Sequence, residues 1–350
     1  MQEKNSPKKK TIYLVCWYLL SFPGGAEKSI VQELKRYQAQ GYETKAITFD
    51  EGVAKGRTVH EGIEVLNYPL PRKFANLSRY CMLALNQSFI KQKLTDHLPS
   101  LQKAEVILTQ SINAPLVAAF CRFHHLPYHY YLRDENNLNI FVNYEQGFRR
   151  VLKQGKDLLE HRCKTFYIAH NREALRGAKK IIANSQFMKQ LLQKKFHRTA
   201  LVRYPDINYR ALLHARSPAK KKQYITFLGA GNAIKGDDIA HKIAQQLPRQ
   251  KFLFVGRVPA KKIVGNITYI PWEKNIARVY AQSRIIIMPS RWMEAFGRVV
   301  LEANHLGIPV ITSNKGGLPE ANKHKDLIVE QVEDVAAWLQ KLKQANKKLS

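Results

Sequence analysis

Acid is what this chain lacks most. Its 350 residues hold 27 Asp and Glu against 57 Lys and Arg, a formal net charge of +30 at pH 7. Such a deficit favours anionic partners: nucleic acid, an acidic bilayer face or a phosphorylated small molecule. A basic protein without such a partner is the plainer alternative. The imbalance peaks between Arg149 and Arg198, with fourteen basic and three acidic residues. Cysteine is also scarce. Cys16, Cys81, Cys121 and Cys163 show no C-x-x-C spacing and lie in apolar or mixed segments. That favours buried free thiols in a reducing compartment over zinc or disulfides. No apolar run reaches the length of a membrane-spanning helix; Thr11–Leu20 is too short and reads as a strand. The first residues, MQEKNSPKKK, are too polar for a secretory signal. A cytoplasmic protein is expected, resting at most peripherally on the inner face of a membrane.

With 45% hydrophobic residues, the chain can build two full cores. Residues 1–10 read as a basic disordered tail. Strands are expected at Thr11–Trp17, Thr44–Phe49, Ile63–Tyr68, Val106–Thr109, Tyr128–Leu132 and Lys180–Asn184, with helical patterns between several of them. This alternation argues for a parallel, doubly wound sheet across 11–203. Residues 204–222 hold Pro205, Pro218 and the run Lys220–Lys222 without periodicity, and read as a linker. The pattern restarts over 223–350, with strands at Tyr224–Leu228, Lys251–Val255, Ile267–Ile270, Ile285–Met288 and Pro309–Thr312. Helices are expected at Ile239–Leu247 and Val332–Ala345. The fold class is therefore α/β, two Rossmann-like domains, with a ligand expected in a cleft between them.

Each half opens with a strand and a glycine turn. Gly24 and Gly25 precede an amphipathic run, Glu27–Gln40, closed by Gly41. Glycines there let a backbone approach a ligand and offer N–H groups at a helix start. A purely structural turn fits as well, and the third glycine of a dinucleotide fingerprint is missing. Lys73–Leu98 departs from the rhythm, with Phe74, Leu77, Tyr80, Leu83 and Phe89 among Arg72, Lys73, Arg79, Lys91 and Lys93. It reads as a core-facing helix with a basic outer side, or as a helix lying on a membrane. Tyr128–Asn139 ends a strand in Arg133, Asp134, Glu135 and two asparagines, which suits either a hydroxyl-rich ligand or a helix cap.

The densest stretch is Pro289–Pro319. A loop carries Glu294, a helix is expected from Phe296–Gly297 with Glu302 about two turns along, and a strand leads to Gly316–Gly317. Ligands of such sheets sit at the carboxyl ends of the strands. Lys235, in the loop GAGNAIKG, can neutralise phosphate, and a helix start favours the same anion. Glu302 can accept from paired hydroxyls such as those of a ribose, and Glu294 from a sugar. A solvated helix residue and a helix cap are the plainer readings of the two acids.

These residues resemble a known family. Glu294 to Glu302 is similar to the E-x7-E motif of retaining, family-4 glycosyltransferases of the GT-B fold. GGLPE at Gly316–Glu320, PGGAEKS at Pro23–Ser29, ANSQFMKQLL at Ala183–Leu192, RYPDIN at Arg203–Asn208 and KG at Lys235–Gly236 resemble its other segments, in order along nearly the whole chain. The resemblance implies transfer of a glycosyl unit from a UDP- or GDP-sugar to a glycan or lipid-linked acceptor, with retention. It assigns Lys235 and the Phe296–Gly297 backbone to the diphosphate, Glu302 to the ribose and Glu294 to the donor sugar. Gly316 and Gly317 would line the sugar pocket, and Gly24 and Gly25 would close on it. No metal or other cofactor is implied, and no D-x-D motif is present. Three positions depart from the pattern. Ala230 stands where an arginine is common, leaving Arg257 or Arg298 to supply the charge. Thr109–Gln110–Ser111 replaces a region with a histidine, and Arg133–Asp134 replaces a His-Asp pair on the acceptor side. An acceptor at a membrane would explain the basic segments Lys73–Leu98 and Arg149–Arg198. A nucleotide-sugar epimerase shares the architecture but not the E-x7-E context. Nucleic acid is disfavoured, because aromatics do not interleave with the basic runs.

Overall fold

A computed structural model describes the chain except residues 1–8, 22–23, 72–76, 111, 140–141, 146, 215–222, 274 and 350. Most of the expected tail, Pro23, Arg72, Lys73, Phe74, Ser111 and the second half of the expected linker lie outside the described residues. The chain groups into two compact units, one of residues 1–142 and 151–206, the other of 143–150 and 207–350.

The first unit is built on eight strands: β1 (Thr11–Cys16), β2 (Glu43–Thr48), β3 (Gly56–His60), β4 (Ile63–Asn67), β5 (Ala104–Gln110), β6 (Tyr128–Leu132), β7 (Lys180–Ala183) and β8 (Leu201–Val202). Their order is β3-β4-β2-β1-β5-β6-β7-β8, parallel except for β3 against β4. Helices α1 (Gly25–Ala39), α2 (Arg79–Asp96), α3 (Leu98–Leu101), α4 (Ala114–Phe123), α5 (Gly147–Leu159), α6 (His161–Gly177) and α7 (Gln186–Phe196) follow in chain order, the first four residues of α5 grouping with the second unit. Strands such as TIYLVC read as continuous apolar runs because a parallel sheet is covered on both faces.

The second unit opens with α8 (Tyr209–His214), in the segment read from sequence as structureless linker. Its strands are β9 (Tyr224–Ala230), β10 (Lys251–Gly256), β11 (Lys262–Val264), β12 (Ile267–Pro271), β13 (Ser283–Met288), β14 (Val310–Ser313) and β15 (Ile328–Val329). They run β11-β12-β10-β9-β13-β14-β15, with only β11 antiparallel. Its further helices are α9 (Asp237–Gln246), α10 (Ile276–Gln282), α11 (Arg298–His305), α12 (Leu318–Ala321) and α13 (Val335–Lys347). Ile225, Phe227, Phe252, Phe254, Ile285 and Trp338 form the centre of its core.

Strand order reverses between β1 and β5 in the first unit, and between β9 and β13 in the second. At such a switch point the loops leaving neighbouring strands turn to opposite faces and leave a crevice at the carboxyl ends. Cys16, Cys81 and Cys121 are buried, and all four cysteines are free. The helix α2 buries Cys81, Met82, Leu83, Ile90 and Leu94, so it is a core-facing helix. Among the described residues no helix is long and apolar enough to cross a membrane.

Candidate functional site

The β9–β13 crevice gathers the second unit's chemistry. After β9 the chain turns through a single 3-10 turn, Ala233–Lys235, capped by the Asn232 side chain, which accepts from Ile234 N–H at 3.1 Å. After β13 it runs through Ser290, Arg291, Trp292 and Glu294. The Lys235 ammonium donates to Glu294 Oε1, and Ser290 Oγ donates to the same oxygen at 3.1 Å. Ser290 is itself held, its carbonyl accepting from Ser313 Oγ at 2.7 Å. Lys235 Nζ also stands 6.0 Å from the centre of the Trp292 ring, which packs 5.4 Å from Tyr144. Trp292 is half-buried.

Two glycines make this closeness possible. Gly236 has φ +81°, and a Cβ there would lie 2.0 Å from the Pro289 carbonyl oxygen. Gly316 has φ +62°, and its Cβ would lie 2.3 Å from the Glu294 carbonyl oxygen. Gly317 N–H donates to that same oxygen at 2.7 Å, so the glycine loop after β14 fixes the acid loop after β13. We expect Gly236→Ala to cost more stability than Gly265→Ala. Gly265 shares a positive φ but has nothing within 4 Å of its Cβ position. The left-handed backbone alone costs an alanine about 1–2 kcal/mol; at Gly236 the carbonyl collision adds to it. Paired denaturation midpoints check this, and equal losses would contradict it.

Arg291 binds the two loops together and was not singled out from sequence. It is 8% exposed. Its guanidinium donates to both Asp238 oxygens at 2.6 and 2.8 Å and to both Glu333 oxygens at 2.6 and 2.7 Å. It also donates to the Ala233 carbonyl at 2.7 Å, and its own N–H donates to the Ile234 carbonyl at 2.9 Å. The Arg291 hydrogen bond holds the Asp238 carboxyl below its ordinary range. Flanked by tryptophan in an apolar context, an arginine is unremarkable; only its fork geometry toward two acids distant in sequence reveals its role.

The helix α11 begins at Arg298, with Gly297 as its cap and Phe296 before it, two residues later than the sequence suggests. Gly297 has no side chain to cap the first N–H groups. Phe296 is buried with Leu228, Val300 and Leu318, so its backbone alone is available to a ligand. The late start places Glu302 one turn along rather than two. Nor is Glu302 a solvated helix residue: it is 8% exposed and accepts from Tyr280 Oη at 2.7 Å and from Arg298 at 3.3 Å. Burial first, then the Glu302 carboxylate, pushes the Tyr280 hydroxyl well above its ordinary range, so it stays a donor. Each carboxylate oxygen accepts two hydrogen bonds, so both keep capacity for a further donor.

Ala230 is buried in the core cluster at the end of β9, where a long charged side chain would displace apolar packing. Arg257 follows β10; its N–H donates to the Ala230 carbonyl at 2.8 Å, and its side chain is exposed. Arg298 is committed to Glu302. Arg257 is thus the better placed of the two to stand in for an arginine at 230.

In the first unit, Gly24 caps α1 without a side-chain hydrogen bond and Gly25 is its first residue, at the end of β1 where the switch point lies. Asp134 caps the short turn Glu135–Asn137, accepting from Asn136 N–H at 3.0 Å, and Arg133 stacks 5.1 Å from the Tyr131 ring. Beside the switch point stand two residues not singled out individually. Gln110 ends β5 and Asn113 precedes α4. Both are fully buried, and neither amide has a hydrogen-bond partner among the described residues.

Comparison with known proteins places this geometry. Residues 24–204, more than half the chain, match the family described as glycosyl transferase 4-like domain, and residues 210–348 match glycosyl transferases group 1. A D-inositol 3-phosphate glycosyltransferase of Mycobacteroides abscessus is 29% identical over 117 residues, 29% of this chain and 26% of that protein. Three curated relatives at 29–42% identity are matched over only 26–32% of their own length. Among solved structures, sucrose-phosphate synthase from Thermosynechococcus elongatus superposes with a TM-score of 0.72 at 16% identity, over 97% of this chain and 90% of that one. The Anabaena protein HepE, solved with UDP and glucose, gives 0.66 at 17% identity over 98% and 90%. The fold is the two-domain, Rossmann-like GT-B fold, and the chain belongs to the glycosyltransferases, a glycosyl transferase 4-like domain followed by a group 1 domain.

Proposed function

We propose that this chain is a retaining glycosyltransferase that moves a sugar from a UDP- or GDP-sugar to a glycan or lipid-linked acceptor. The observation that carries the reading is the Lys235–Glu294 pair, brought from two loops to the switch point of the second sheet. Lys235, the backbone N–H groups at Phe296–Gly297–Arg298 and the exposed Arg257 side chain would take the diphosphate. Glu302 would accept from the ribose with the capacity that Tyr280 and Arg298 leave. Glu294 would exchange its lysine and serine partners for hydroxyls of the donor sugar, in a pocket bounded by Gly316 and Gly317. Gly24 and Gly25 would add backbone N–H groups from the first domain, and Arg133 and Asp134 would face the acceptor.

The chemistry asks for charge stabilisation on the leaving diphosphate as the glycosidic bond breaks. A lysine and a helix start already held in place supply it without reorganisation. No side chain is needed to carry a proton to so good a leaving group, and no step requires a metal. The test is nucleoside diphosphate release on mixing with a panel of nucleotide sugars, with the anomeric configuration of the product read by NMR. Release with an inverted product would overturn retention; no release and no nucleotide binding would overturn the whole reading.

Gln110 offers an independent check. A buried amide without partners costs stability of about 1–3 kcal/mol, and proteins keep such groups where substrate needs them. We expect Gln110→Met to be at least as stable as the parent while lowering kcat/KM. A destabilised variant of unchanged kcat/KM would make Gln110 a structural residue only.

A further inference from the structure

The helix α5 is turned inside out. In GFRRVLKQGKDLL, the residues Phe148, Val151, Leu152, Gly155, Leu158 and Leu159 fall on one arc of about 120° at the α-helical ~100° per residue. The opposite arc holds Arg149, Arg150, Lys153, Gln154, Lys156 and Asp157. A surface helix of a globular protein lays such an apolar stripe on the core. Here no residue of the helix is buried, and the five large apolar side chains are between 58% and 88% exposed.

The polar side is what meets the protein. Asp157 accepts from Lys153 at 2.8 Å and from Lys164 on α6. Lys164 is 4% exposed and lies 3.5 Å from Glu160, the buried residue that follows α5. Glu160 in turn accepts from Ser78 N–H at 2.9 Å, at the start of α2. A buried lysine held by two acids therefore fixes the rotation of α5. Reversing it to bury the stripe would leave Lys164 in the interior without Asp157.

We propose that α5 is an in-plane membrane-docking helix whose apolar stripe enters the interface of an anionic bilayer. Charge decides between a bilayer and another protein surface. Arg149 and Lys156 border the stripe on one side, Arg150 lies beyond Gln154 on the other, and both arginines are exposed. Residues Arg149 to Arg198 carry fourteen basic against three acidic residues on a chain of +30. Two such surfaces repel each other, whereas anionic headgroups attract them. The sequence offers α2 and the 149–198 region alike as basic membrane segments. The structure separates them, because α2 buries most of its large apolar residues and α5 buries none. The inference is independent of the donor-site reading, since it is tested by binding alone.

The experiment is sedimentation of the full chain with vesicles of pure phosphatidylcholine and with vesicles containing one third phosphatidylglycerol. Phe148→Ser with Leu159→Ser removes two largely exposed stripe residues, so folding is retained and is confirmed by an unchanged melting temperature. Expected is binding to the anionic vesicles, weakened at least tenfold by added salt and at least tenfold by the double substitution. Absent binding, binding equal in parent and variant, or a salt-insensitive signal would overturn the proposal. So would a parent that self-associates in sedimentation velocity while its variant does not, which would make a second copy the occupant.

Discussion

Lys235→Ala and Glu294→Ala are each expected to lower kcat/KM by about two to three orders of magnitude, the loss typical of a preorganised charge-stabilising group. The melting temperature should move by only a few degrees. The two side chains are 32% and 16% exposed, so each survivor of the pair reaches solvent. A pair of that kind contributes about 0–1 kcal/mol to folding. The substitutions should also differ in kind. On the proposed reading, losing Lys235 would remove charge that matters most as the diphosphate leaves, so kcat should carry the effect. On the same reading, losing Glu294 would remove acceptors that hold the sugar in both ground and transition state, so KM should rise as well. Losses of activity matched by comparable losses of stability would make the pair a structural clamp.

Arg291→Met is expected to have the larger effect on folding, about 2–4 kcal/mol, because four charge-assisted hydrogen bonds and one carbonyl contact disappear from a nearly buried side chain. Activity should fall with it, since the loops carrying Lys235 and Glu294 lose their common anchor. The effect has a pH signature. Asp238 is held below its ordinary value by Arg291, so its folded pKa lies under its unfolded one. Such a group stabilises fully above the unfolded pKa, near 4, and the contribution fades as pH falls through the folded pKa. The stability gap between parent and variant should therefore be constant near neutrality and narrow below about pH 4. A gap that widens in acid would contradict the role given to the Asp238 pair.

Much of the fold was legible because parallel strands covered on both faces write themselves as apolar runs. Each of the eleven strands expected from sequence has its counterpart within about two residues. What escaped was the periphery. β3 and β11 are edge strands of GRTVH and KIV, mostly exposed, held by backbone pairing to one neighbour and not by burial. β8 and β15 are two residues long. The helix α8 hides in a segment of prolines and lysines whose pattern is too short to show a period.

The candidate site was half legible. Glu294, Glu302, Lys235 and the glycines stand out because acids and glycines are conspicuous at the ends of apolar runs. The direct pairing of Lys235 with Glu294 could not be read, since it depends on β9 and β13 being neighbours in space. Arg291, Tyr280 and Asn113 were invisible for the same reason, and Gln110 showed only as part of Thr109–Gln110–Ser111: each acts through a partner, or lacks one, for reasons set by tertiary packing. The α5 stripe shows the limit most plainly. Its periodicity is that of a core helix, and only the buried Lys164–Asp157 contact reveals that it faces outward.

The most direct test of the donor site is calorimetric titration of the parent and of Lys235→Ala with UDP, GDP, UDP-sugars and GDP-sugars. The expected result is binding of one nucleotide family to the parent, stronger for the diphosphate than for the matching monophosphate, and abolished or weakened at least tenfold by the substitution. Equal affinity in both proteins, or no nucleotide bound by a folded parent, would contradict it.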